Sequence, residues 1–186
     1  MKLHFVPFEN IRNNVSDIIL EWRNSEDIRS QMMHQNLITK KDHCNWYKIV
    51  SSGQGDYRVK MVYFNDTPIG LVYLSDIDFV NKCVSWGLYI GEKKYRGLGL
   101  GRIMMAELLS WGFDELDFYR MYTSVLENNV KALSMYYKFG FKNEGVWEKH
   151  VLLMDGNRTN LLYLGMCIED WIRNREWILK LLNESK

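Results

Sequence analysis

From Tyr95 the chain reads Tyr95-Arg96-Gly97-Leu98-Gly99-Leu100-Gly101-Arg102, with three glycines alternating with bulky residues. A strand-like run from Val84 to Ile90 precedes it, and a helix is predicted over Ile103 to Phe113. Few architectures accept this handover. Glycines leave the backbone amides uncovered, and a helix opening directly after them turns its unpaired N–H groups and positive dipole end outward. Such a turn is a cradle for a pyrophosphate.

Two familiar phosphate loops fail on residues. A P-loop needs Lys-Ser or Lys-Thr after its last glycine, and neither follows here; the dinucleotide fingerprint needs a third glycine where Arg102 stands. A plain strand-to-helix turn seldom requires three glycines in the five residues from Gly97 to Gly101.

Around the loop, residue spacing predicts a strand over Leu3 to Phe8, a helix over Val15 to Asn24, and a helix over Lys40 to Ser51. The last has Thr39 as N-cap and Trp46, Ile49 and Val50 inward. Strands over Tyr57 to Phe64 and Pro68 to Asp76 flank the turn signal Asn65-Asp66-Thr67. After the glycine loop come a strand over Tyr119 to Leu126 and a helix over Asn129 to Lys138. Two closing strands, Phe141 to Lys149 and Asn160 to Cys167, are joined through Asp155-Gly156. The order is that of an α/β fold with a mixed sheet. A tail, Ile168 to Leu182, is amphipathic through Trp171, Ile172, Ile178, Leu179 and Leu182 and is expected to pack on the domain or to form a homodimer contact.

Composition narrows the class. The 186 residues suit one domain over 1–186, with 168–186 as its helical tail. No apolar run is long enough to span a bilayer, and the first residues lack a signal-peptide core, so a cytoplasmic protein without a membrane partner is expected. Cys44, Cys83 and Cys167 are odd in number and widely spaced, which fits neither a disulfide framework nor a metal knuckle; no metal is expected. A net charge of +1 with dispersed Lys and Arg lacks the footprint of a nucleic-acid binder. Aromatic residues make up 14% of the chain, seven of them Trp, which fits either an aromatic-lined pocket or core packing.

The loop Arg96-Gly97-Leu98-Gly99-Leu100-Gly101 resembles the acetyl-CoA loop of the GNAT N-acetyltransferases, Arg/Gln-x-x-Gly-x-Gly/Ala. Downstream, Asn129-Val130-Lys131-Ala132-Leu133-Ser134-Met135-Tyr136-Tyr137-Lys138-Phe139-Gly140-Phe141 is similar to that family's second signature, Asn-x-x-Ala-x-x-x-Tyr-x-x-x-Gly-Phe. The two stand in the family's order, each in its strand-to-helix setting. The resemblance implies a mixed, mostly antiparallel sheet with one splayed strand pair and helices on both faces. It implies acetyl-CoA as cofactor, its pantetheine arm against Leu88, Tyr89 and Ile90 and its pyrophosphate on the amides of Gly97 to Gly101, with Arg96 and Arg102 as charged partners. Asn129 takes the position that contacts the cofactor arm, or caps its helix, or both.

Tyr136 matches the family tyrosine facing the thioester sulfur. A departing thiolate needs a proton, and a phenol with a pKa of about 10 supplies one to a thiolate whose acid is near 8.5. A coenzyme A-binding module without catalysis could dispense with this tyrosine, which is present here. The neighbouring Tyr137 points about 100° away on a helix and is expected to pack. For the base that deprotonates the amine, Glu127 ranks first, ahead of Ser124, Tyr73 and His43.

Upstream, Trp22, Arg23, Asn24, Arg29, Met32, His43 and Trp46 are spaced as in the subfamily that acetylates the 4-amino group of a nucleotide-linked dideoxy amino sugar in pseudaminic acid synthesis. Arginine suits the phosphates of such an acceptor, and aromatic or Met surface suits its base and sugar. Polyamine and ribosomal-protein acetyltransferases share the layout; for a polyamine, Glu21, Glu26, Asp27 and Asp42 are available carboxylates. The segments Trp147-Glu148-Lys149-His150 and Asn157-Arg158-Thr159-Asn160 resemble the variable hairpin that closes the acceptor pocket.

Overall fold

Val72 and Leu74 of one strand are buried with one hydrophobic cluster and Leu71 with another, so alternation along that strand feeds both faces of a sheet. The computed structural model describes residues 3–11, 15–53 and 55–183, with side chains placed through Lys180. Its strands are β1 (Leu3–Pro7), β2 (Arg58–Phe64), β3 (Thr67–Asp78), β4 (Cys83–Ile90), β5 (Arg120–Leu126), β6 (Lys142–Leu152) and β7 (Arg158–Cys167). They form a seven-stranded sheet in the order β1-β2-β3-β4-β5-β7-β6. Every neighbouring pair is antiparallel except β4 with β5.

The helices are α1 (Ser16–Asn24), α2 (Glu26–Arg29), α3 (Lys40–Ser51), α4 (Leu100–Ser110), α5 (Val130–Phe139) and α6 (Ile168–Asn183). Helices α4, α5 and α6 cover one face through Met104, Leu108, Phe139, Trp171 and Ile178. On the other face, Ile19 and Trp22 of α1, Ile28 of α2 and Val50 of α3 pack on Val59, Met61, Leu71 and Tyr89.

Several sequence expectations shift. The glycine loop yields to α4 at Leu100, not Ile103, and Trp111–Glu115 leaves the α-helix as a wider π turn. Thr39 caps α3 as expected, accepting from the Asp42 amide at 3.2 Å. Ile49, expected inward, is 55% exposed. The inner stripe of α3 runs instead through His43, Trp46, Tyr47 and Val50, and Ile49 lies about 100° around the helix from Val50. The short α2 carries too little periodicity to be read from sequence.

The tail packs on its own domain. Trp171 is fully buried, stacked on Phe113 at 5.7 Å, and donates its Nε1–H to Asp114 at 2.9 Å. Ile178 is also fully buried, whereas Ile172, expected on the apolar face, is 67% exposed. The side chain of Leu182 lies outside the described residues.

Candidate active site

β4 and β5 are parallel neighbours for only three residue pairs, Cys83↔Arg120, Val84↔Met121 and Ser85↔Tyr122. Thr123 Oγ1 then donates to the Trp86 carbonyl at 3.0 Å. Past this tie the strands diverge around a cleft lined by Gly87, Leu88, Tyr89 and Ile90 on one side and Ser124, Val125 and Leu126 on the other. β4 stays paired with β3 as far as Ile90↔Gly70, so the backbone groups on its β5 side are available to an amide-bearing arm. Asn129, just before α5, and Ala132, Met135 and Tyr136 of α5 line the cleft as well, as do Asp27, Met32 and Arg96.

The loop after β4 is built for close approach. Gly97 and Gly99 have φ of +78° and +79°, the left-handed region, and Gly99 is the N-cap of α4. A Cβ at Gly97 would meet open space. Leu100 is 3% exposed with its side chain in the core, so only its backbone can face a ligand; Leu98 is exposed. Gly101 lies in the first turn of α4, where amides lack intrahelical partners.

Arg96 lines the cleft and is also bonded within the protein. Its Nε donates to the Ile90 carbonyl and Nη2 to the Gly91 carbonyl, each at 2.9 Å, while Nη1 meets Asp27 Oδ2 at 3.2 Å. The guanidinium thus staples the loop to the end of β4 and to α2. Lys93 and Arg96 together hold the Asp27 carboxyl below the usual carboxylate range. Arg102 is exposed, with its guanidinium beside Gly99.

Asn129 caps α5, its Oδ1 accepting from the Ala132 amide at 3.3 Å, while it also lines the cleft. Tyr136 is buried against Trp86 and lines the cleft, and burial pushes its phenol well above the ordinary tyrosine value. Tyr137 is 44% exposed. Glu127 is not gathered with Tyr136. Its amide donates to the Asn160 carbonyl at 3.0 Å, which ties it to the start of β7, and its exposed side chain is absent from the lining of the cleft.

A second chamber of about 330 Å³ opens on the α1–α3 face, lined by Arg23, Met32, Asp42, His43, Trp46 and Tyr57 with Ile38, Leu71, Tyr73 and Tyr89. Met32, Tyr73 and Tyr89 also line the cleft, so the chambers share a wall. Among the described residues Arg23 Nη1 and Tyr89 Oη are buried without a hydrogen-bond partner. Burial raises the Tyr89 phenol, and the nearby Arg23 charge opposes that rise. His43 Nε2 lies 2.8 Å from the Ser16 carbonyl and so carries the proton it donates there; burial lowers its pKa.

Of the seven residues expected to meet the acceptor, Arg23, Met32, His43 and Trp46 line this chamber. The other three hold its walls. Trp22 is 4% exposed, packs directly on Gly91 and donates Nε1–H to Glu92 at 3.0 Å. Asn24 clamps Ile38 through both backbone groups, at 2.8 and 2.9 Å. Arg29 donates to the Gln35 carbonyl at 3.1 Å, and Gln35 Oε1 accepts from the Met154 amide at 2.9 Å, which docks the β6–β7 hairpin on the loop before α3. Sequence reading missed Tyr57; the available signal was its stacking on Tyr73, which needs the β2–β3 register to be seen.

The model of the acetyltransferase (GNAT) family matches residues 19–141. The acetyltransferase PseH of Campylobacter jejuni is 30% identical over 132 residues, covering 69% of this chain and 78% of that protein. The spermidine N(1)-acetyltransferase of Escherichia coli is 32% identical over 99 residues, 53% of this chain and 51% of that enzyme, so the chain spans about half of that relative's length. The spermidine N-acetyltransferase of Vibrio cholerae, solved with CoA and spermine, superposes with a TM-score of 0.82 over 92% of this chain and 98% of that one, at 19% identity, a likeness of fold. The family match, the splayed β4–β5 cleft and the glycine cradle agree: this chain belongs to the GNAT family of acetyltransferases, with acetyl-CoA as its cofactor.

Proposed function

We propose that this enzyme acetylates the 4-amino group of a nucleotide-linked dideoxy amino sugar. The observation that carries the reading is Arg23. Its Nη1 is buried without a partner in a chamber walled by Trp46, Tyr57, Tyr73 and Met32. A buried donor on a cation calls for an anionic or strongly accepting ligand group, and the aromatic and Met surface suits a base and a sugar. The 30% identity to PseH over 69% of the chain supports the same direction.

Acetyl-CoA supplies the acetyl group as an activated thioester. The residues expected to hold it are Leu88 to Ile90 along the arm, the amides of Gly97 to Gly101 at the pyrophosphate, and Asn129. Tyr136 keeps a proton on Oη at the cleft wall and delivers it to the departing thiolate as the C–S bond breaks and the N–C bond forms; the amine nitrogen gives up its own proton in the same exchange. His43, on the wall of the acceptor chamber, is the base proposed in place of Glu127: with Nε2 donating to the Ser16 carbonyl, Nδ1 carries the lone pair that receives that proton.

A polyamine acceptor is the second reading, favoured by the E. coli relative and by Asp42 on the chamber wall. Against it stands Arg23, whose charge repels a polycation. The reaction is proposed to be cytoplasmic: no described helix is long and apolar enough to cross a membrane, and the three cysteines are free thiols. Self-assembly is part of the proposal, since the V. cholerae enzyme is known as a dodecamer and strand β6 at the sheet edge exposes Val146 and Trp147. Thiol release from acetyl-CoA, measured with nucleotide-linked 4-amino sugars, spermidine, spermine and N-terminal peptides, tests the assignment. Activity confined to a polyamine or a peptide overturns it.

A further inference from the structure

The cofactor cleft has a closed end, and the closure is aromatic. β4–β5 pairing stops at Ser85↔Tyr122, and the lining of the cleft begins at Trp86 and Thr123. The pyrophosphate cradle lies at the other end, beyond Ile90. From Ile90 back to Trp86 an extended strand covers roughly 13 Å, at about 3.3 Å per residue. An acyl-pantetheine arm laid along β4 therefore carries its acyl group toward Trp86.

There the indole meets the Tyr136 ring edge-to-face, with centroids 5.0 Å apart at 79°, and meets Phe141 at 5.0 Å. Rings at such separations are in van der Waals contact, so no methylene passes between them. Trp86 is 2% exposed and Phe141 3%, and both belong to the core cluster that contains Met104, Leu108 and Met121. Close-packed neighbours of that kind deny the indole a second rotamer. Trp86 Nε1 has no hydrogen-bond partner among the described residues, so the ring is held by shape alone and contributes shape.

We propose that Trp86, braced by Tyr136 and Phe141, is the stop that limits the transferred group to two carbons. A longer acyl chain has to displace the indole from a packed core. Loss of a methylene's room in such a pocket discriminates by about 10–200-fold.

The test is a ladder of CoA, acetyl-CoA, propionyl-CoA and butyryl-CoA binding to the full chain by calorimetry. Binding needs no acceptor, so failure of the amino-sugar assignment leaves this experiment standing. In the wild type, affinity is expected to fall by about tenfold or more for each methylene beyond acetyl. In Trp86→Phe and Trp86→Leu the acetyl-to-butyryl ratio, each affinity taken relative to free CoA in the same variant, is expected to drop by about tenfold or more. Equal wild-type affinity from acetyl to butyryl overturns the proposal, and so does a folded Trp86→Leu that keeps the wild-type ratio. Should Trp86→Leu not fold, the wild-type ladder and Trp86→Phe decide the matter.

Discussion

Tyr73 on β3 lies across Gly87, its register partner on β4, so closely that a Cβ at Gly87 would overlap the phenol oxygen. The absent side chain at 87 is what lets this hydroxyl rest on the wall shared by both chambers. Gly87→Ala is therefore expected to push Tyr73 aside and to lower kcat/KM for the acceptor by about a hundredfold, the cost of an ångström-scale misplacement. Steady-state kinetics with the acceptor varied measure this. In a Tyr73→Ala background the same glycine change should cost much less; an equal cost in both backgrounds refutes the link.

Tyr136→Phe keeps the ring that packs on Trp86 and deletes the proton donor. Turnover is expected to fall by about a hundredfold or more, in the range of a lost general acid, while acetyl-CoA affinity stays close to wild type. Calorimetry and thiol release on the same preparation separate the two quantities. Undiminished turnover removes Tyr136 from the reaction.

Replacing Arg23 by Met keeps most of the stem and removes the charge. For a nucleotide-linked amino sugar, KM should rise by about tenfold or more, the worth of a charged hydrogen bond, and spermidine should become a better acceptor. A variant that loses spermidine activity and never had sugar activity reverses the acceptor assignment.

Burial lowers the pKa of His43 from its ordinary 6.5, with its bond to the Ser16 carbonyl and the charge of Asp17 opposing the shift. The unfolded chain then binds the proton more readily than the folded one. The stabilisation is full above about pH 6.5 and is lost as pH falls through the folded pKa. Tm measured from pH 7.5 downward should decline more steeply in the wild type than in His43→Gln. Parallel profiles contradict this assignment.

Trp171→Ala removes a fully buried indole from α6, its stacking on Phe113 and its bond to Asp114. A loss of about 3–5 kcal/mol is expected from urea unfolding, as for large aromatic truncations in cores. A loss below 1 kcal/mol would mean that α6 contributes little to the domain's stability.

The strand–glycine–helix handover and the Asn129 to Phe141 signature were legible because each depends on local spacing: left-handed glycines at 97 and 99, an N-cap at 129, a tyrosine one helical face away. What escaped depends on contacts between distant segments. Arg96 is expected at the phosphates from sequence and lines the cleft, but its bonds to Ile90, Gly91 and Asp27 appear only in the fold. Trp22 looks like a binding aromatic and is spent against Gly91 and Glu92, a contact across 70 positions. Ile49 is apolar at helical spacing, yet α3 turns its other side inward because His43 and Val50 define the buried stripe. Periodicity names a helix more securely than it names the helix's inner face.

Met32, Tyr73 and Tyr89 belong to both chambers at once. Should one ligand shift any of these side chains, the other ligand meets an altered wall. By linkage, each would then change the other's affinity by the same factor. The common wall is thus the physical route along which the two affinities can be coupled.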